Sequence, residues 1–102
     1  MTTQLLNHAS TPVVDGNLTP SGYQQITGLS TVKSLTVPNG ARLALIQAEA
    51  QNVRYRDDGT DPDANTGMLV ASGSDVWYIG DLSAVRLIET TASAKVNVSY
   101  YK

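Results

Sequence analysis

The stretch Ala94-Lys95-Val96-Asn97-Val98-Ser99-Tyr100-Tyr101 decides the fold class. Its apolar side chains fall at every second position. In an extended chain Ala94, Val96, Val98 and Tyr100 therefore share one face, and Lys95, Asn97 and Ser99 the other. The same period returns upstream in shorter pieces. Val53 and Tyr55 alternate with Arg54 and Arg56, and the β-branched run Thr31 to Val37 alternates at Lys33, Leu35 and Val37 before the turn signal Pro38-Asn39-Gly40. Met68 to Ala71, Val76 to Ile79 and Val85 to Glu89 are further short runs, divided by Ser72-Gly73-Ser74-Asp75 and Gly80-Asp81-Leu82-Ser83. Arg42 to Ala50 reads two ways. A strand sets Leu43 and Leu45 opposite Ala44 and Ile46, yet Ala, Leu, Gln and Glu also favour a helix. Short runs parted by turn residues at intervals of about ten predict an all-β protein. The expected architecture is a single small β-sandwich or jelly roll of about seven or eight short antiparallel strands.

Residues 1–22 differ. They hold two of the four prolines, Pro12 and Pro20, together with Gly16 and Gly22, and Asp15 is their one charged side chain. Apart from Met1, Ala9 and Leu18, apolar residues come as the pairs Leu5-Leu6 and Val13-Val14. Such a segment lacks the periodicity of a core element and reads as an extended N-terminal arm, ahead of a β-sandwich domain at 23–102. The alternative is a short edge strand at Thr11 to Val14. Unpaired backbone lets an arm add to a neighbour's sheet, which makes Leu5, Leu6, Val13 and Val14 candidate interface residues.

The 102 residues suffice for one domain. At 41% hydrophobic, 16% charged and a formal charge of −2, the composition argues against a disordered chain and against the basic face that nucleic acid requires. No apolar run approaches the ~18 residues of a membrane span, and the start, Met1 to His8, has neither the basic nor the apolar region of a signal peptide. The absence of cysteine removes disulfides, thiol nucleophiles and Cys-ligated zinc, and points to a reducing compartment.

Candidate chemistry is sparse. His8 is the single histidine, whereas a triad or zinc site needs it held by further groups. The loop from Asp57 to Gly67 carries four carboxylates, Asp57, Asp58, Asp61 and Asp63, and Asp61, Asp63 and Asn65 repeat the spacing of a calcium loop. The match to a helical calcium hand then fails, because Thr66 and Ser72 stand where the turn glycine and bidentate glutamate belong, which leaves a looser calcium site in a β-loop as the alternative. The simpler reading pairs Asp57 and Asp58 with Arg54 and Arg56 across a solvated loop, and no metal or cofactor is expected. A glycosidase acid would need a desolvated pocket, which a polar loop does not supply. Trp77-Tyr78 and Tyr100-Tyr101 each send one ring to either face of a strand. Tyr78 is expected in the core and Trp77 outside, so Trp77 and Tyr101 join Arg54, Arg56, Asp57 and Asp58 as candidate partner-interface residues. Asn17-Leu18-Thr19 and Asn97-Val98-Ser99 match the glycosylation pattern, which has meaning only on a secretory route.

Four stretches carry a resemblance: Val53 to Thr60 (Val-Arg-Tyr-Arg-Asp-Asp-Gly-Thr), Met68 to Gly73 (Met-Leu-Val-Ala-Ser-Gly), Gly80 to Ile88 (Gly-Asp-Leu-Ser-Ala-Val-Arg-Leu-Ile) and Lys95 to Tyr101 (Lys-Val-Asn-Val-Ser-Tyr-Tyr). Over about four-fifths of its length the chain resembles the small β-sandwich virion proteins of tailed bacteriophages that decorate or cement the capsid. The motifs are general strand-and-turn patterns, and no residue roles transfer with them. The resemblance implies a non-enzymatic structural protein made in the host bacterial cytoplasm. It would act on the virion surface as a homo-oligomer, most simply a trimer, with the phage major capsid protein as partner and no nucleic acid or membrane. A carbohydrate-binding module of a phage tail or fibre is the alternative, with Trp77 and Tyr78 or Tyr101 as platform and the 57–67 loop as rim. An enzyme ranks last, for want of a nucleophile–base pair.

Overall fold

The computed structural model describes residues 18–102. They form eight strands: β1 (Pro20–Ile26), β2 (Lys33–Ser34), β3 (Leu43–Glu49), β4 (Val53–Arg56), β5 (Met68–Val70), β6 (Asp75–Ile79), β7 (Arg86–Glu89) and β8 (Lys95–Tyr101). A 3-10 turn at Leu82–Ala84 precedes β7, its start capped by the Asp81 carboxylate, which accepts from the Ser83 N–H. One sheet has the order β1-β8-β3-β6 and the other β2-β7-β4-β5, with every neighbouring pair antiparallel. The protein is all-β, as expected.

The pairing is nested. β4 pairs with β5, β3 with β6, β2 with β7 and β1 with β8, so the chain is one long hairpin bent at residues 57–67 and folded over itself. The period of two then sorts side chains between core and surface. Val96, Val98 and Tyr100 of β8 are wholly buried, as are Ala44, Ile46 and Ala48 of β3. They meet Val53, Val70 and Leu87 from the other sheet, with Leu29, Leu82 and Val85 closing in from the connections. Each such aliphatic side chain removed from water contributes roughly 1.5–3 kcal/mol before chain entropy is set against it.

One open reading is resolved and two expectations change. Arg42 to Ala50 is a strand, because Leu43–Glu49 is paired along both edges, by β8 and β6. Of Thr31 to Val37 only Lys33–Ser34 pairs in a ladder. Beyond it the Gln24 side chain takes over, its Oε1 accepting from the Thr36 N–H and its Nε2 donating to Thr36 Oγ1. Pro20, Ser21 and Gly22, read from sequence as the end of the arm, are the first residues of β1. Thr19 and Lys102 exchange both backbone hydrogen bonds just beyond it. Gly22, one of the residues that suggested a loose leader, instead serves close packing. A Cβ on Gly22 would lie 2.8 Å from the Pro38 ring.

Candidate functional site

The inward face of β3 is Ala44, Ile46 and Ala48, so Leu43, Leu45 and Gln47 point outward, and strand register gives each its neighbours. Leu43 lies between Ile79 and Tyr101, Leu45 between Trp77 and Ser99, and Gln47 between Asp75 and Asn97. The first row is therefore apolar, the second apolar except for Ser99, and the third polar. The Trp77 and Tyr101 rings sit 5.3 Å apart, tilted by 48°. Leu43 is buried, at 2% exposure, although it stands outside the sandwich core, while Ile79 beside it is 54% exposed. This is a small exterior apolar patch.

The polar row is tied together by Asn97. Its Oδ1 accepts from the Tyr23 hydroxyl and from Gln25 Nε2, and its Nδ2 donates to Gln47 Oε1 and Glu49 Oε1. The three strands β1, β8 and β3 meet in this network only after folding, and composition gave no sign of it. Three of the neighbours, Gln25, Gln47 and Asn97, are amides that both donate and accept. Tyr23, at 65% exposure, extends the face toward the β1 edge.

Arg54, Arg56, Asp57 and Asp58 lie elsewhere. The arginines project from the outer face of the second sheet, where they hold the 57–67 loop. Arg54 donates from Nε to the Ala64 carbonyl and from Nη1 to the Gly67 carbonyl. Arg56 grips Asp58 with two bonds, the shorter 2.6 Å, and Arg86 on β7 reaches Asp61 at 2.6 Å. The hydrogen bond from Arg56 holds the Asp58 carboxyl below its ordinary range. Gly67 closes the loop at φ 140°, where a Cβ would come within 3.1 Å of Arg54 and the Tyr55 carbonyl.

Asp57 turns away from both arginines. It accepts from the Tyr78 hydroxyl at 2.6 Å, while the Tyr78 ring stands edge-on to Tyr55 in the core. Burial, and then this carboxylate, push the Tyr78 hydroxyl above the ordinary tyrosine value, and burial does the same for Tyr55. Tyr100, buried beneath β1, is pushed up to about 12 by burial, and its hydroxyl donates to Gln24. The calcium-like spacing does not gather. Asp61 is drawn to Arg86, Asp63 accepts from the Asn65 N–H in its own loop, and among the described residues no three acidic or histidine side chains converge.

The structure thus brings Trp77 and Tyr101 together on one face of the sandwich and Arg54, Arg56 and Asp58 on the opposite face. The 57–67 loop is held on the second sheet by Arg54, Arg56 and Arg86, and its Asp57 meets β6 at the inward Tyr78, not at the outward Trp77. Tyr78 is buried and cannot pair with Trp77 as a platform. Leu5, Leu6, Val13, Val14 and His8 lie outside the described residues. A groove of about 330 Å³ opens along the side where β5 and β6 leave the two sheets apart, lined by Tyr55, Met68, Val70 and Val76. Compared with known proteins, the chain matches no family model, no curated protein and no solved structure.

Proposed function

We propose that the chain is a non-enzymatic virion protein of a tailed bacteriophage, a head decoration protein that self-associates and binds the mature capsid lattice. The observation that carries this reading is the exterior patch of Leu43, Leu45, Trp77, Ile79 and Tyr101. Leu43 is already covered within the monomer, but Ile79 is 54% exposed and Leu45, Trp77 and Tyr101 are only half-buried, apolar area that an interface would cover. The sequence resemblance supplies the virion context. We also read the nested strand order as the wrapped hairpin of a jelly roll, a fold used for assembly surfaces. A protein that binds only the mature lattice stabilises it by mass action.

Co-sedimentation with expanded, empty heads of the phage that encodes the protein tests this. Saturation at a fixed ratio to the major capsid protein is the expected result, and a folded protein that stays in the supernatant at every concentration overturns it.

A second reading draws on the neighbouring polar row. Amides of Gln25, Gln47 and Asn97 beside Trp77 and Tyr101 make a face that offers hydroxyl-binding groups next to aromatic rings, as glycan recognition requires. Saturable quenching of Trp77 fluorescence by a cell-surface glycan, without head binding, is the result that favours it.

A further inference from the structure

Two four-stranded sheets have four edge strands, and three of these are blunted. β1 opens on Pro20, which has no N–H to donate, and its register slips between Pro20 and Gly22. β2 is two residues long and β5 three. Proline, irregularity and shortness are means by which a sheet refuses another strand. β6 has none of them. Its five residues keep unbroken register with β3 from Ile79 to Asp75, and among the described residues no strand pairs with its other side. After Asp75 it reads Val76-Trp77-Tyr78-Ile79, entirely β-branched and aromatic, the composition of an inner strand.

Beyond its polar start at Ser74 and Asp75, this edge is apolar on both faces from Val76 to Ile79. Outside stand Trp77 and Ile79 next to Leu43 and Leu45. Inside stand Val76 and the groove it shares with Tyr55, Met68 and Val70. A strand laid along β6 therefore needs an apolar side chain on each face. Two adjacent apolar residues supply that, because neighbours in a strand point to opposite sides. Apart from Met1, Ala9 and Leu18, the apolar residues of the leader come as such pairs, Leu5-Leu6 and Val13-Val14.

We propose that the Val13-Val14 segment of one copy of the chain adds as a fifth strand to β6 of the next copy. Reach decides between copies. β1 and β6 lie at opposite edges of their sheet, and a strand beyond β6 stands four spacings, about 19 Å, from β1. Val14 is four residues before Leu18, so extended chain carries it only about 14 Å from the body. The segment falls short of its own β6. The donor lies at one edge and the acceptor at the other, which makes the contact heterologous, and heterologous contacts that close give rings. The inference rests on the self-association half of the proposed function and is independent of the capsid.

The chain has no cysteine, so single introduced thiols report contacts cleanly. Protein carrying Val13→Cys is mixed with protein carrying Ile79→Cys on β6, or with Met68→Cys on β5, and bridged with a short bismaleimide. Residues 79 and 68 are 54% and 62% exposed, so both acceptor thiols are open to reagent. In parallel, light scattering gives the mass of the full chain and of the full-length Val13→Asp, Val14→Asp variant. The expected results are an oligomer for the full chain, a folded monomer for the Asp variant, and interchain bridging to residue 79 at several times the yield to residue 68. An oligomer untouched by the Asp substitutions overturns strand exchange and leaves self-association standing. A full chain that is monomeric at every concentration overturns both. Preferential bridging to residue 68 overturns β6 as the acceptor.

Discussion

At the scale of single residues, Arg54 is the side chain on which the 57–67 loop depends. It sits half-buried, and its bonds to the Ala64 and Gly67 carbonyls are made by a charged donor, a kind typically worth about 1.5–3 kcal/mol. Arg54→Ala is expected to destabilise the fold by about 2 kcal/mol in chemical denaturation, with faster amide exchange confined first to 57–67. Arg56→Ala, which loses an exposed ion pair, should cost well under half of that. Ala50 and Ser93 hold φ of 75° and 76°, a region that costs a non-glycine residue roughly 1–2 kcal/mol. Ala50→Gly is expected to raise the melting temperature slightly, since the relief exceeds the added freedom of the unfolded chain. The tyrosines set the response to alkali. Tyr100, at about 12 when folded, lies above the ~10 of an unfolded tyrosine. Its contribution is whole below pH ~10 and is lost as pH rises toward 12, and Tyr78 shifts in the same direction. Denaturant midpoints should therefore fall steeply between pH 10 and 12. Tyr100→Phe, which removes the ionisable group, should flatten that fall.

Among the elements, β8 matters most, as the strand between β1 and β3 whose inward side chains are all buried. Val98→Ala leaves a cavity at its centre and is expected to cost about 2–3 kcal/mol, measured as a lower denaturation midpoint with unchanged slope. β8 was also the most legible strand, because a seven-residue strand buried on one side imposes strict alternation on its sequence. β4 was legible for the same reason, with Val53 inward and Arg54 outward. β2 was not, since a polar side chain, Gln24, does the work that a ladder would have done. Nor was the start of β1, where Pro20 and Gly22 carry loop-like composition inside a strand. The candidate site was half legible. Trp77 and Tyr101 could be assigned to outer faces one strand at a time. Their meeting, and the Asn97 network beside them, depend on which strands become neighbours, and alternation within one strand carries no information about that.

For the whole molecule, the nested pairing has a kinetic consequence. Tyr23 and Asn97 touch although 74 residues separate them in sequence, and contacts that distant are slow to find from an open chain. Nesting shortens the search. Once β4 meets β5 across the 57–67 loop, β3 and β6 are already near each other, then β2 and β7, and β1 closes on β8 with little loop entropy left to lose. Folding then proceeds as a zipper from the arginine-held bend toward the two termini. Substitutions near the bend should chiefly slow refolding, and those in β1 chiefly speed unfolding. The loop that began as a candidate ligand site would then be the place where the chain first commits to its shape.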